Sequence, residues 1–492
     1  MTSPADADGL YAAGARAVKL GLEDEALPVL AAAVERHPGD PRLWQVLGLA
    51  YRRREDLTPA VAAFEKAAAL APDDALIAHS LARALLEAGL PSVDRFERAL
   101  VLAPQEDAVI LGLVAARFAE GRPDDALADV TARLAANPGW LPGHASLSRL
   151  RWLTGDRETF ASSLEAAVSW APRDVLIWHE WADILIHAER YDEVIAIVAR
   201  GRAAAGGHPV FDALEAIAVA EKGETDAADA LFAGLGPIGQ IGMAVRYLRH
   251  LLRSGRPAEA ARFGEQWLGE AASDSVRPYL ASAWRLTGDP RWQAQEGDPR
   301  LIGVYDIGDA IPSLPALAER LRTLHHSFGQ PLDQSVRGGT QTDGPLFSRI
   351  EPEIRTLRAA IVAAVERHIS QLPAPQPGHP SLVARRAPVR FAGSWSVRLA
   401  GAGFHANHLH PQGWISSAFY VALPEAMGRG EEGWLKLGEP EAALGLDLAP
   451  FRTIEPRPGR LVLFPSTLWH GTIPFAEGER LTVAFDVAKP PQ

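Results

Sequence analysis

Apolar positions in the first part of the chain recur at helical spacing. Residues 41–72 show the pattern, in which large and small side chains share the apolar face of two helical stretches: Trp44, Leu47, Gly48, Tyr51, Ala60, Phe64 and Ala67. Two helices that cross closely need small residues at the contact and large ones to fill the groove beside it. Pro72 then ends the second stretch, because proline cannot continue a helix. The pattern predicts a pair of antiparallel helices.

This helix pair is repeated along the chain. A closing proline recurs at intervals of 34, 32, 34 and 34 residues, at Pro38, Pro72, Pro104, Pro138 and Pro172. The small position of the second helix recurs at Ala26, Ala60 and Ala126. Period and pattern closely resemble the tetratricopeptide repeat. Weaker copies at 174–201 and 252–268 bring the count to seven or eight, and the resemblance implies a solenoid whose concave face holds a protein or peptide partner.

The helical period ends near residue 295. Proline and glycine become frequent there, and β-branched and aromatic residues alternate with small ones. Two further helices are predicted at 312–329 and 351–372, the second with apolar residues on one face. We therefore expect two domains, a helical solenoid at 1–294 and a second domain at 295–492.

Short strands dominate the pattern from Arg390 onward. Four runs with strand composition are separated by turn residues, at 390–400, 414–424, 459–466 and 480–488. Such runs predict an antiparallel barrel or jelly roll that begins at about residue 390 and is braced by the two helices.

A polar, glycine-rich segment, "DQSVRGGTQTDG", lies between the two predicted helices at 333–344. It reads either as a surface loop or as a flap over a pocket, since Gly338 and Gly339 permit unusual backbone angles. In the second reading, Arg337 and Gln334 are candidate residues of a substrate loop.

Composition narrows the classes of function. The 492 residues carry a formal charge of −12 and no cysteine, so disulfides and thiolate ligands are excluded, and nucleic acid is not an expected partner. No apolar run reaches the roughly 18 residues that span a bilayer, so no membrane partner is expected. The N-terminal segment is acidic and lacks the apolar stretch of a secretory signal, which predicts a cytoplasmic protein.

Three histidines stand close together in "FHANHLHPQGW", at 405, 408 and 410. Residues two apart in a strand point to the same face, so His408 and His410 could reach one metal ion while His405 would face away. His405 with Asn407 is a competing ligand pair on the opposite face. Sixty residues on, His470 ends a strand, and Arg480 opens the next one, which carries Thr482 and Ala484 on the same face as the arginine.

Together these segments resemble the 2-oxoglutarate and Fe(II)-dependent dioxygenases, especially their bacterial and prolyl-hydroxylase-like branches. The resemblance covers about 200 residues and is carried by "GAGFHANHLH", "ISSAFYV" and "PGRLVLFPSTLWHG…GER". It implies a double-stranded β-helix (jelly roll), Fe(II) as the metal, and 2-oxoglutarate and dioxygen as co-substrates.

The resemblance also implies roles for single residues. His408 would be the first iron ligand and His470 the distal one. Arg480 would hold the far carboxylate of 2-oxoglutarate, since its planar fork suits a carboxylate, and Tyr420 matches a tyrosine that binds the co-substrate. No catalytic side chain is implied beyond the metal ligands.

One position departs from the family pattern. Where the family most often has Asp or Glu, this chain has His410, so the ligands would be three histidines. Imidazole suits iron, zinc and copper alike, so the departure leaves three readings open: an iron site, a zinc site, and a relic whose fold now supports binding only.

Three functions follow. The first is a dioxygenase that hydroxylates a protein or peptide recruited by the repeats. The second is a catalytically inactive repeat scaffold that mediates protein–protein interaction. The third is a cupin-like three-histidine metalloenzyme independent of 2-oxoglutarate, which Arg480 argues against because that class needs no carboxylate clamp.

Overall fold

The structure is a computed structural model that describes residues 6–270, 272–326, 332, 335–424 and 430–490. Its first part is a tetratricopeptide-like helical solenoid, and its last part is a β-sheet domain. The helices are α1 (Ala7–Lys19), α2 (Glu23–Arg36), α3 (Pro41–Arg53), α4 (Leu57–Leu70), α5 (Ala75–Glu87), α6 (Val93–Leu102), α7 (Asp107–Ala119), α8 (Pro123–Ala136), α9 (Leu141–Leu153), α10 (Ser163–Trp170), α11 (Val175–His187), α12 (Tyr191–Ala205), α13 (Pro209–Glu221), α14 (Thr225–Gly234), α15 (Ile241–Arg253), α16 (Pro257–Glu265), α17 (Arg277–Thr287), α18 (Leu314–Arg322) and α19 (Pro352–Gln371).

Local sequence explains where the repeat helices begin and how closely they pair. Asp40, Asp74 and Asp174 each cap a helix by accepting a hydrogen bond from a backbone N–H two or three residues on. Within the second pair, a Cβ at Gly48 would lie 2.8 Å from the ring of Phe64. Only glycine allows that approach, so the small position read from the sequence is confirmed as a helix contact.

The turn inside each helix pair has a left-handed residue two positions after the first helix ends. Eight turns share this feature, and six of them use glycine: Gly21, Gly89, Gly121, Gly155, Gly223 and Gly255. The other two use glutamate, at Glu55 (φ 60°) and Glu189 (φ 59°). A side chain in this conformation costs about 1 kcal/mol relative to glycine, so both glutamates are exceptions that need a reason.

The strands form two antiparallel sheets. They are β1 (Gly303–Asp306), β2 (Val336–Gln341), β3 (Phe391–His405), β4 (Gly413–Ala422), β5 (Leu435–Leu437), β6 (Arg452–Ile454), β7 (Arg460–Pro465), β8 (His470–Thr472) and β9 (Glu479–Ala488). The larger sheet has the order β1-β7-β4-β9-β3-β2, and the smaller one β6-β5-β8. Strands β3, β4, β7 and β9 confirm the four runs predicted from the sequence.

The glycine-rich segment is neither a free surface loop nor a flap. Residues 336–341 form β2, which pairs with β3 in the register Arg337↔Phe404 and Gly339↔Leu399. A bulge between these two pairs absorbs Gly338, whose φ is +68°. Alternation of side chains was too weak in this segment to reveal a strand. Gln334 lies outside the described residues.

Contacts divide the chain into two compact units. One consists of Met1–Arg133 with Asp343–Arg358, and the other of Leu134–Thr342 with Ala359–Gln492. In the first, Arg358 forms an ion pair with Glu55 at 3.1 Å. The second holds the later repeats together with both sheets, and the domain boundary at 294/295 stays a prediction. In the part of the chain that the structure describes, no helix has the length and apolarity to cross a membrane.

Within the second unit, the last repeat helices pack directly on the β-sheet domain. Trp469 is 3% exposed and meets the ring of Tyr279 edge-on, with 5.5 Å between the ring centroids. Arg285 on α17 donates a hydrogen bond to the carbonyl oxygen of Ala449 at 2.8 Å. These contacts hold the repeats against the segment that carries the histidines.

Candidate metal centre

His408 and His470 face each other across a β-bridge. Each backbone N–H donates to the carbonyl oxygen of the other residue, at 2.9 and 3.0 Å. Directly opposed residues of an antiparallel pair project their side chains to the same side, and the two imidazole centroids are 4.2 Å apart. The bridge explains why residues sixty positions apart share one site.

His410 completes a cluster of three imidazoles. Its backbone N–H donates to the carbonyl oxygen of Ser466 at 2.9 Å, which fixes the segment beside β7. One ring nitrogen from each of His408, His410 and His470 lies within 4.8 Å of the others. Three nitrogens at that spacing can converge on a single metal ion.

The second ring nitrogen of each histidine is already hydrogen-bonded. Nδ1 of His408 lies 2.8 Å from the carbonyl oxygen of Ala406, and Nδ1 of His470 lies 2.9 Å from that of Leu468. Nδ1 of His410 lies 2.7 Å from a carboxylate oxygen of Asp486. Carbonyl and carboxylate oxygens only accept, so Nδ1 carries the proton and the lone pair of Nε2 is left for a metal.

Burial keeps two of the three imidazoles neutral. Desolvation, together with the neighbouring imidazoles, holds the pKa of His408 and of His470 well below the usual value of a histidine. Neutral imidazole is the form that binds metal, so these two side chains can bind a cation without first losing protons.

Asp486 lines the histidine cavity and was missed by the sequence interpretation. It is 7% exposed and also accepts a hydrogen bond from the hydroxyl of Ser416. The available signal was the period of β9: Arg480, Thr482, Ala484 and Asp486 occupy one face, and a carboxylate in an apolar strand needs a partner. It places a carboxylate behind His410, the position that departs from the family pattern.

Arg480 and Tyr420 form a buried polar pair next to the histidines. Arg480 is 2% exposed, and its Cζ lies 5.1 Å from the centre of the Tyr420 ring. Desolvation lowers the pKa of Arg480 and raises the pKa of Tyr420. Among the described residues, Arg480 Nε and Tyr420 Oη have no hydrogen-bond partner. A buried cation with an unused donor fits a carboxylate ligand.

His405 does not face away from the other histidines, contrary to the expectation from strand alternation. It lines the same cavity as His408 and His410, and its ring stacks on that of His408 at 5.7 Å. The strand β3 ends at His405, so the two-residue period does not continue to position 408. Asn407 donates its amide to the carbonyl oxygen of Pro440 at 2.9 Å, and its pairing with His405 at a metal stays a prediction.

A second cavity of about 640 Å³ adjoins the histidine cavity and shares His405 and His408 with it. Its walls come from the repeat part, at Trp152 and Glu189, and from the β-sheet domain, at Arg337. Arg337 lies 3.6 Å from the carboxylate of Glu189. Arg337, the candidate substrate-loop residue, therefore lines a cavity that also contains His405 and His408 and that is partly formed by residues of the repeats.

The solved structures that resemble this chain include tetratricopeptide repeat proteins. One from Parabacteroides merdae is 17% identical, with 48% of this chain and 93% of that chain covered and a TM-score of 0.31. The protein MamA from Desulfovibrio magneticus RS-1 is 19% identical, with 35% and 99% covered and a TM-score of 0.31. One from Thermus thermophilus is 18% identical, with 37% and 100% covered and a TM-score of 0.28.

No curated protein matches the chain. Two family models do: the model described as "Tetratricopeptide repeat" matches residues 41–74, and the model described as "Putative 2OG-Fe(II) oxygenase" matches residues 393–486. The second match contains His408, His410, His470, Asp486, Arg480 and Tyr420. The chain therefore carries a tetratricopeptide repeat and a domain of the 2OG-Fe(II) oxygenase family, as its sequence motifs predicted.

Proposed function

We propose that this chain is a 2-oxoglutarate- and Fe(II)-dependent dioxygenase that hydroxylates a protein or peptide recruited by its repeats. One observation carries the proposal: three imidazoles, each with its Nδ1 hydrogen-bonded, converge within 4.8 Å in a cavity that is also lined by a buried arginine. That combination provides a metal site and a carboxylate site side by side.

The donor set fits Fe(II). Three neutral nitrogens on one side of the ion leave positions for a bidentate keto acid and for dioxygen. His408, His410 and His470 would hold the metal, and Asp486 would orient His410 and offset part of the ion's charge. Bound iron supplies the oxygen chemistry that couples oxidative decarboxylation of 2-oxoglutarate to hydroxylation.

Arg480 would bind the far carboxylate of 2-oxoglutarate. Its Nε is an unused donor in a buried position, and Tyr420 Oη is a second unpartnered group beside it. A guanidinium can donate two parallel hydrogen bonds to a carboxylate, which orients as well as binds it. Burial of the Arg480 guanidinium is unfavourable by desolvation, and a carboxylate bound to it would offset that cost.

We further propose that the two sheets form the double-stranded β-helix of the family. The histidine cavity takes side chains from both sheets, Ser416 and Arg480 from the larger one and Leu435 and His470 from the smaller one. In such an arrangement, His470 of the smaller sheet and Arg480 of the larger one would hold the metal and the co-substrate between two layers of strands.

The test is consumption of dioxygen and release of succinate when purified protein receives Fe(II) and 2-oxoglutarate. Wild-type protein should release succinate slowly even without a protein substrate, and His470→Ala should release none. Stoichiometric iron binding without succinate release would favour the inactive scaffold. Failure to bind Fe(II) under anaerobic conditions would reject iron as the metal, whereas tighter binding of zinc alone would not, since most nitrogen sites prefer zinc to Fe(II).

A further inference from the structure

The cavity beside the histidines has one carboxylate that is far more exposed than the rest. The side chain of Glu189 is 69% exposed. The other two acidic side chains of the cavity, Glu439 and Glu441, are 34% and 25% exposed. Glu439 is paired with Lys436 at 2.7 Å, and Glu441 is paired with the buried Arg249. Glu189 is therefore the acid most available to a ligand.

The backbone at Glu189 gives independent support for a special role. Six of the eight equivalent repeat turns use glycine at this left-handed position, and Glu189 keeps a side chain there at φ 59°. Strain of this kind persists where the side chain has a task. At the only other exception among these eight turns, Glu55, the task is visible, since its pair with Arg358 is close at 3.1 Å and mostly shielded, with 18% and 22% exposure.

The contact that Glu189 makes with Arg337 does not explain the strain in the same way. It is longer, at 3.6 Å, and the two side chains are 69% and 36% exposed. Ion pairs in water contribute little, because solvent screens them and ordering two long side chains is unfavourable. The side chain is thus retained at a cost that this ion pair does not offset.

Resting on the proposed function, we propose that Glu189 recognises a basic side chain of the peptide substrate in the cavity that opens onto the histidines. A lysine or arginine of the peptide would bind this carboxylate while a neighbouring residue of the peptide reaches the metal. The chain as a whole carries −12, and a net charge of that sign favours a cationic ligand over an anionic one. The repeat part would then determine which peptide binds, and the β-sheet domain would carry out the reaction.

The test uses two mixtures of short fluorescein-labelled synthetic peptides, identical except for a fixed central lysine or a fixed central glutamate. Their binding to the full chain is measured by fluorescence anisotropy without metal or 2-oxoglutarate. The lysine mixture should bind about three- to tenfold more tightly, because the bound peptide would shield this ion pair from solvent as Arg337 does not, and the preference should shrink with added salt.

Glu189→Gly is the informative variant, because it installs the residue that most of the other turns use. It should abolish the preference for lysine while the thermal midpoint stays equal or rises. Glu55→Gly is the matched control, at an equivalent turn that does not line the cavity: the midpoint should fall, because the Arg358 pair is lost, and the preference should remain. Glu189→Gln should also abolish the preference for lysine, because it removes the charge and keeps the size of the side chain.

Equal binding of the two mixtures, no binding of either, or a preference that survives Glu189→Gly would overturn the proposal. Since these titrations contain no metal, they do not depend on oxygenase activity. A lysine preference without succinate release would support the recognition site and contradict the proposed reaction. Succinate release without a lysine preference would support the reaction and contradict the recognition site.

Discussion

Nδ1 of His410 lies 2.7 Å from Oδ2 of Asp486. The family most often has a carboxylate at the position of His410, and in this chain a carboxylate stands one side chain further back. An imidazole backed by a carboxylate is a stronger donor than an isolated one, and its orientation is fixed. In the proposed metal site, the carboxylate of Asp486 behind His410 would partly compensate for the absence of a charged ligand.

Asp486→Asn should weaken metal binding by about tenfold or more. Asparagine still offers an oxygen to Nδ1 of His410, so the variant removes the charge and leaves the hydrogen bond in place. Anaerobic titration with Fe(II), followed by competition with a chelator, measures the affinity. Ser416→Ala is the control, since it removes one hydrogen bond to Asp486 and keeps the carboxylate. Equal iron affinity of Asp486→Asn and wild type would show that the charge has no role.

Arg480→Leu should weaken binding of 2-oxoglutarate and leave the metal affinity unchanged. Loss of a buried charge-assisted contact costs about 2 to 4 kcal/mol, which is roughly 30-fold or more in the dissociation constant. Anaerobic calorimetric titration of the metal-free protein with Fe(II) measures the metal affinity, and titration of the metal-loaded protein with 2-oxoglutarate measures the second. Arg457→Leu, whose parent side chain is 59% exposed, serves as the control. An unaltered 2-oxoglutarate affinity in Arg480→Leu would remove the assigned carboxylate site.

Two tryptophans allow a matched test of how the last repeats depend on the β-sheet domain. Trp469→Ala should destabilise the second unit by about 3 to 5 kcal/mol, because it empties a packed site against Tyr279. Trp170→Ala should change stability by no more than about 0.5 kcal/mol, since Trp170 is 60% exposed. Urea unfolding followed by circular dichroism compares them. Equal effects would mean that the contact with Tyr279 contributes nothing.

Acid should destabilise the protein through His368, which is 2% exposed. Desolvation lowers its pKa to about 4, so the folded state keeps the ring neutral while the unfolded state protonates near pH 6.5. The contribution of neutral His368 to the free energy of unfolding is therefore fully present above pH 6.5. It decreases as the pH falls toward 4, and about 2 kcal/mol is lost at pH 5. His368→Gln should flatten this dependence in urea titrations at several pH values, whereas His326→Gln, at an exposed position, should not. An unchanged slope in His368→Gln would exclude this group as the cause.

Much of the fold could be predicted because its patterns are periodic. The repeat follows from closing prolines at nearly constant intervals, and the main strands follow from alternating, β-branched runs. The strand β2 was missed because its centre is Gly338-Gly339, where no side chains alternate. Packing of the helix α17 on Trp469 was not predictable either, since such contacts depend on tertiary geometry that no local pattern records.

The site was predictable where function constrains residue types. His408, His410, His470, Arg480 and Tyr420 could be named from motifs, and the structure brings the three histidines together. The orientation of His405 could not be predicted, because the strand β3 ends at this residue and side chains beyond it no longer alternate between the two faces. Asp486 could have been found by extending the Arg480, Thr482, Ala484 period by one step.

The proposed site has His408, His410 and His470 as ligands of Fe(II), which 2-oxoglutarate would chelate. Its most direct test is anaerobic titration with Fe(II) and 2-oxoglutarate, recording the weak visible charge-transfer band of the chelate for wild type, His408→Ala and His405→Ala. The account predicts the band in wild type, its absence in His408→Ala, and its retention in His405→Ala, since His405 lies outside the converging group in the described residues. Loss of the band in His405→Ala with retention in His408→Ala would contradict the ligand assignment.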